Sequence, residues 1–126
     1  MNITSTAISL NVPDPRSSAQ FFQQHLGFSV EMEQADFFFS LRHPSGGPNV
    51  VFLQTGLATF KPAHRAGSAG DGLLIAFVVE DLNRAHEQWV KDGVPVVTEP
   101  ETEPWGERFS QYEDPNGIIV QLVQWV

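Results

Sequence analysis

The stretch Ile8-Ser-Leu-Asn-Val-Pro-Asp14 returns, in pattern, as Ile75-Ala-Phe-Val-Val-Glu-Asp81. The offset is 67 residues, from Ile8 to Ile75 and again from Asp14 to Asp81. Each copy is an apolar strand running into an aspartate. That aspartate is suited to cap a helix, because its carboxylate accepts from the free amides of the first helical turn. Pro15 fits the first helical position, where no amide hydrogen is needed. The first helix then places Ala19, Phe22 and Leu26 on one face, and the second places Leu82, Ala85 and Trp89 on one face at the same spacing. Both are expected to stop at a glycine, Gly27 and Gly93, able to take a left-handed C-terminal conformation.

Working outward, strands are predicted over 28–32, 37–41 and 49–54 in the first half, and over 94–98, 108–112 and 118–123 in the second. The last two strands of each half are joined by proline- and glycine-rich turns, residues 43–48 and 114–117. Each half therefore reads β-α-β-β-β. The predicted organisation is a single domain over 1–126, with module 1 at about 5–54, a linker at 55–72 and module 2 at about 73–126. The linker has small residues and no period, and it is expected to connect the modules and to be able to fold over a site.

Composition narrows the function. With no cysteine, the chain can form no disulfide, thiolate metal site or cysteine nucleophile. Seven Lys and Arg against fifteen Asp and Glu give a formal charge of −8, which opposes nucleic acid and anionic lipid. No apolar run approaches the roughly 20 residues of a membrane span, and the N-terminal stretch has no basic leader. A cytoplasmic protein without nucleic-acid or membrane partners is expected.

The two β-α-β-β-β modules, the strand-to-aspartate motifs at Asp14 and Asp81, and the signatures Trp105-Gly106 and Asp114-Pro-Asn-Gly117 resemble the vicinal oxygen chelate superfamily. Within it the chain is most similar to the glyoxalase/bleomycin-resistance group, from Ile8 to Val123. The resemblance implies an α+β fold in which the two modules form a curved eight-stranded mixed sheet around a cleft. In metal-dependent members, four ligands from the first and last strands of the two modules floor that cleft. Carried onto this chain, those positions fall on Ala7, Phe52, Leu74 and Gln121. One amide among hydrocarbon side chains cannot hold a cation, so no metal and no cofactor are expected. The histidines do not change this: His25 and His86 fall on helices, His43 in a turn and His64 in the linker.

If Ala7 and Leu74 mark the inner face, strand alternation adds Ser9, Asn11, Ala76, Val78, Phe52, Gln54, Ile119 and Gln121. The result is a mainly apolar small-molecule surface. Gln121 either satisfies itself there or orients a ligand. Of Phe37, Phe38 and Phe39, at least one faces inward. Around Trp105, with Glu107 and Arg108 beside it, glutamates form either a solvated loop or an acidic aromatic rim for a flat or cationic ligand.

The ligand-binding candidates are therefore Trp105, Phe52, Gln121, Phe38, Asn11, Arg108 and Glu107, and no catalytic residue is assigned. The expected function is metal-free binding of a small molecule, sequestering a cationic or aromatic antibiotic, in a homodimer as the resemblance implies. The alternative is a lyase, isomerase or dioxygenase-like enzyme of the same superfamily acting on a small organic substrate. Without a metal it would have to recruit Glu107, Glu113 or His64 as a base.

Overall fold

The computed structural model describes residues 1–126 and divides them into two units, Met1–Gly70 and Asp71–Val126. The first unit holds β1 (Ala7–Val12), α1 (Pro15–Leu26), β2 (Ser29–Gln34), β3 (Phe38–Arg42) and β4 (Asn49–Gln54). The second holds β5 (Leu74–Val78), α2 (Leu82–Lys91), β6 (Val96–Thr102), β7 (Glu107–Glu113) and β8 (Ile119–Trp125). The β-α-β-β-β repeat read from the sequence is thus present twice, and each module carries its own four-stranded mixed sheet. The strand orders, β1-β4-β3-β2 and β5-β8-β7-β6, correspond module for module. In each, the first and last strands run parallel and the other pairs run antiparallel.

The capping signals act as their chemistry requires. Asp14 accepts from the Ser17 amide at 3.4 Å with Pro15 at the first helical position, and Asp81 accepts from the Arg84 amide at 3.1 Å. Gly27 closes α1 at φ 76°, in the left-handed region that glycine enters without steric cost. The start of α2 has a second tie, from the Leu82 amide to Gln124 Oε1 of β8 at 2.9 Å.

Each helix covers one face of its own sheet. Ala19, Phe21 and Phe22 of α1 are buried, as are Leu10, Val12, Phe39, Leu41, Val50 and Phe52. Phe22 meets Phe52 edge-on with ring centroids 5.1 Å apart, a favoured aromatic geometry. In the second unit, Leu82 and Trp89 of α2 and Ser110, Tyr112, Val120 and Leu122 of the sheet are buried, with Trp89 edge-on to Tyr112 at 4.6 Å. These contacts fix the registers. Residues alternating with the helix-covered ones form the opposite, open face of each sheet.

The connecting segment is more ordered than its composition predicts. Residues 55–70 form a strap on the first unit, with a 3₁₀ turn at Ala63–Ala66. Its two ends meet through Gly56 N to Ala66 O at 2.9 Å, and Ala69 N donates to Asn11 O on β1 at 2.9 Å.

Candidate functional site

Across the open face of the second sheet, the strand register places Ala76, Gln121, Gln111 and Thr98 in one row, one from each strand. Three of them are joined side chain to side chain. The Thr98 hydroxyl donates to Gln111 Oε1 at 3.1 Å, and Gln111 Nε2 donates to Gln121 Oε1 at 2.8 Å. The next row is Val78, Val123, Phe109 and Glu101, and on the other side lie Leu74, Ile119 and Glu113. A short polar ladder therefore crosses a largely apolar surface and ends at the Gln121 amide. Gln111 and Thr98 were absent from the sequence-derived candidates. The alternation of Arg108 to Tyr112 held the signal for Gln111, but the register that aligns it with Gln121 comes from pairing.

The matching row of the first sheet is Ser9, Val51, Ser40 and Met32, and the row beside it is Asn11, Leu53, Phe38 and Gln34. Beside that second row lies a recess of about 390 Å³ lined mainly by Met32, Phe37, Phe38, Leu53 and Leu57. Phe38 is thus the inward aromatic of its trio, while Phe39 is buried toward α1 with the Arg16 guanidinium 5.0 Å from its ring centre. Toward the other end of the face, Asn49 Nδ2 donates to Glu31 Oε2 at 2.6 Å.

Three expected positions are corrected. Phe52 lies on the helix-covered face, 0% exposed against Phe22, and its neighbour Val51 takes the open-face position corresponding to Gln121. The reason is one residue of register: 49–54 is apolar on both faces, so alternation alone cannot orient it. Asn11 does sit on the open face, but its amide is occupied, donating to the Arg65 and Gly67 carbonyls of the strap at 3.0 and 3.1 Å. Arg108 points to the helix side, where its guanidinium donates to Asn83 Oδ1 of α2 at 2.9 and 3.1 Å and to Thr102 Oγ1 at 3.0 Å.

Trp105 stands in the β6–β7 turn, 67% exposed, and Glu107 pairs with the exposed Trp125 across β7 and β8. The turn is set by Gly106. At φ 90° it occupies glycine territory, and a Cβ there would lie 2.9 Å from the Val126 carbonyl.

Beneath α2 lies a network that the sequence reading missed, having placed His86 simply on an outer helix. Ser110 Oγ and Tyr112 Oη are 2.8 Å apart, Tyr112 Oη and His86 Nδ1 2.7 Å, and His86 Nε2 and Glu99 Oε2 3.0 Å. Burial pushes the Tyr112 pKa above its ordinary value; the Ser110 hydrogen bond opposes this and the Glu99 charge adds to it. Ser110 and Tyr112 are fully buried on the helix side, so the network holds α2 to its sheet and faces away from the open surface.

The residues at the four family ligand positions do not fit a divalent cation. Ala7, Leu74 and either Phe52 or Val51 offer hydrocarbon, and the Gln121 carbonyl oxygen is already accepting from Gln111. No group of three histidine or carboxylate side chains is gathered anywhere in the chain. Hard cations take several oxygen donors and transition metals take imidazole or thiolate, and neither set is present.

A fold of paired β-α-β-β-β modules with this open-face pattern defines a class, and the family model agrees: residues 4–122 match the Glyoxalase/Bleomycin resistance protein/Dioxygenase superfamily, to which the chain belongs. Among curated proteins it is similar to the uncharacterized protein YetH of Bacillus subtilis (strain 168), 26% identical over 122 residues, covering 91% of this chain and 92% of that one. Among solved structures it resembles TnmS3, an antibiotic binding protein from Streptomyces sp. CB03234, with TM-score 0.74 and 21% identity over 100% of this chain and 99% of that one. It also resembles a lactoylglutathione lyase from Agrobacterium tumefaciens, with TM-score 0.76 and 13% identity over 98% and 94% of the two chains. At those identities the structural likenesses establish the fold. No helix is long and apolar enough to cross a membrane.

Proposed function

We propose that the protein is a metal-free, cytoplasmic binding protein for a small aromatic molecule, of the kind that sequesters an antibiotic, and that it acts as a homodimer. The observation that carries this reading is the apolar recess on the first sheet, whose walls Phe37, Phe38, Met32, Leu53 and Leu57 offer contact area and no reacting group. Likeness to an antibiotic binding protein supports it at the level of fold. The acidic charge of −8 and the exposed Trp105 favour a flat ligand that carries positive charge.

Proflavine, a planar aromatic cation, is a suitable probe, followed by calorimetry and by tryptophan fluorescence. Phe38→Ala and Trp105→Ala are each expected to weaken it by about tenfold, the loss of about 1.4 kcal/mol of stacking and cation–π contact. Added salt should weaken it further, since the acidic groups around Trp105 are exposed. Binding unchanged in both variants would sink the reading. An enzyme of the superfamily would instead need a proton-transferring group on an open face. Glu107 and Glu113 are the carboxylates of β7 there, and turnover abolished by Glu113→Gln would establish that role in place of sequestration.

A further inference from the structure

The ladder on the second sheet has a direction. Thr98 gives its only hydroxyl proton to Gln111 Oε1, and Gln111 gives a proton from Nε2 to Gln121 Oε1. Each step consumes the acceptor side of the next amide. What remains at the end of the row is Gln121 Nε2, a donor that makes no hydrogen bond within the chain, beside Leu74, Ala76, Val78, Ile119 and Phe109. A primary amide free to turn over can present either its oxygen or its nitrogen, so by itself it selects nothing. Here turning Gln121 over would set its NH₂ against the NH₂ of Gln111, and turning Gln111 over would set an oxygen against an oxygen. The row is coupled, and its far end decides its near end.

We infer that this ladder selects ligands carrying a hydrogen-bond acceptor oxygen on an aromatic frame, a ketone or quinone-type carbonyl, and discriminates against frames that present an N–H or O–H in its place. Gln121 makes the contact. Gln111 and Thr98 are positioning residues that act through it. The inference rests on the small-molecule reading above and deepens it, because apolar walls fix size and flatness but leave polarity unspecified, and an oriented donor supplies that choice. Discrimination follows from the cost of leaving polar groups unpaired: a ligand N–H facing Gln121 Nε2 loses its water and gains no partner.

Three compounds of nearly one shape separate the possibilities: 9-fluorenone with a carbonyl acceptor, carbazole with an N–H donor and fluorene with neither. The protein is expected to bind fluorenone about three- to tenfold more tightly than either of the others, the worth of one neutral hydrogen bond. Gln121→Leu should erase the difference, and Gln121→Glu, which leaves an acceptor at the row's end, should turn the preference to carbazole. Thr98→Val should shrink the fluorenone preference and shift the Gln111 and Gln121 side-chain amide resonances, while Thr98→Ser restores both. A purely structural threonine would change melting temperature without changing the ranking.

Tight binding of all three with equal affinity, or a wild-type preference for carbazole, overturns the ladder and leaves the small-molecule reading standing. Failure of all three to bind, with Phe38→Ala also without effect on proflavine, overturns the reading itself and the inference with it.

Discussion

Truncating Phe52 and truncating its neighbour Val51 are expected to have unlike consequences, since one fills the space under α1 and the other lies on the open face. Phe52→Ala should cost about 3–5 kcal/mol in denaturant unfolding, the usual loss for a buried phenylalanine, and Val51→Ala about 1 kcal/mol or less. Equal costs would mean that the register of β4 is wrong. Tyr112, the chain's one tyrosine, gives a prediction in pH. Its pKa is raised above 10.0, first by burial, so the folded state favours the protonated phenol. That contribution is intact below the unfolded value near 10 and is lost as pH climbs through the higher folded value. Phenolate absorbance should therefore appear later in the native protein than in the unfolded chain. Tyr112→Phe should flatten the alkaline fall in stability while costing about 1–2 kcal/mol at neutral pH through the orphaned Ser110 and His86 partners. At this scale the sequence told least. Arg108 stands in an alternating strand whose outward side could not be chosen without knowing that Asn83 of α2 would meet it.

Helices and caps were the most legible elements, because their signals lie within a few residues: Asp14 with Pro15, Asp81, and the glycines that follow. Asp14→Ala should cost about 1 kcal/mol, the usual worth of a cap. Asp81→Ala should cost less in helix fraying, because the Leu82 amide keeps its bond to Gln124. The strap was the least legible element. Its bonds join Asn11 to residues 54 and 56 positions away, beyond the reach of any local pattern, and so Asn11 read as a ligand contact. Asn11→Ala should release residues 55–70. Trypsin is then expected to cut after Arg65 several-fold faster than in the wild type, with the fragment masses identifying the site and circular dichroism unchanged. An unchanged cutting rate would show that the other strap bonds suffice.

For the whole molecule the testable quantity is assembly. Leu74 and Val78 on β5 and Ile8 on β1 are large apolar side chains left 40% or more exposed on strands at the border of each sheet. Apolar surface of that kind on a paired-module protein is best covered by a second copy. Light scattering at micromolar concentration should give twice the 14.0 kDa chain mass, and a single chain mass would remove the homodimer from the proposal. Repeat, class and family were readable at this scale because duplication writes the same pattern twice. The strap has one more consequence, which concerns synthesis. An unpaired strand border invites addition of strands from other chains, and nascent chains expose such borders while they wait for the rest of the molecule. On β1 the outward carbonyl of Asn11 is taken by Ala69, and the chain that supplies it leaves the ribosome directly after β4, ahead of every strand of the second sheet. The first module therefore guards its own border with residues already made and does not have to wait for its twin.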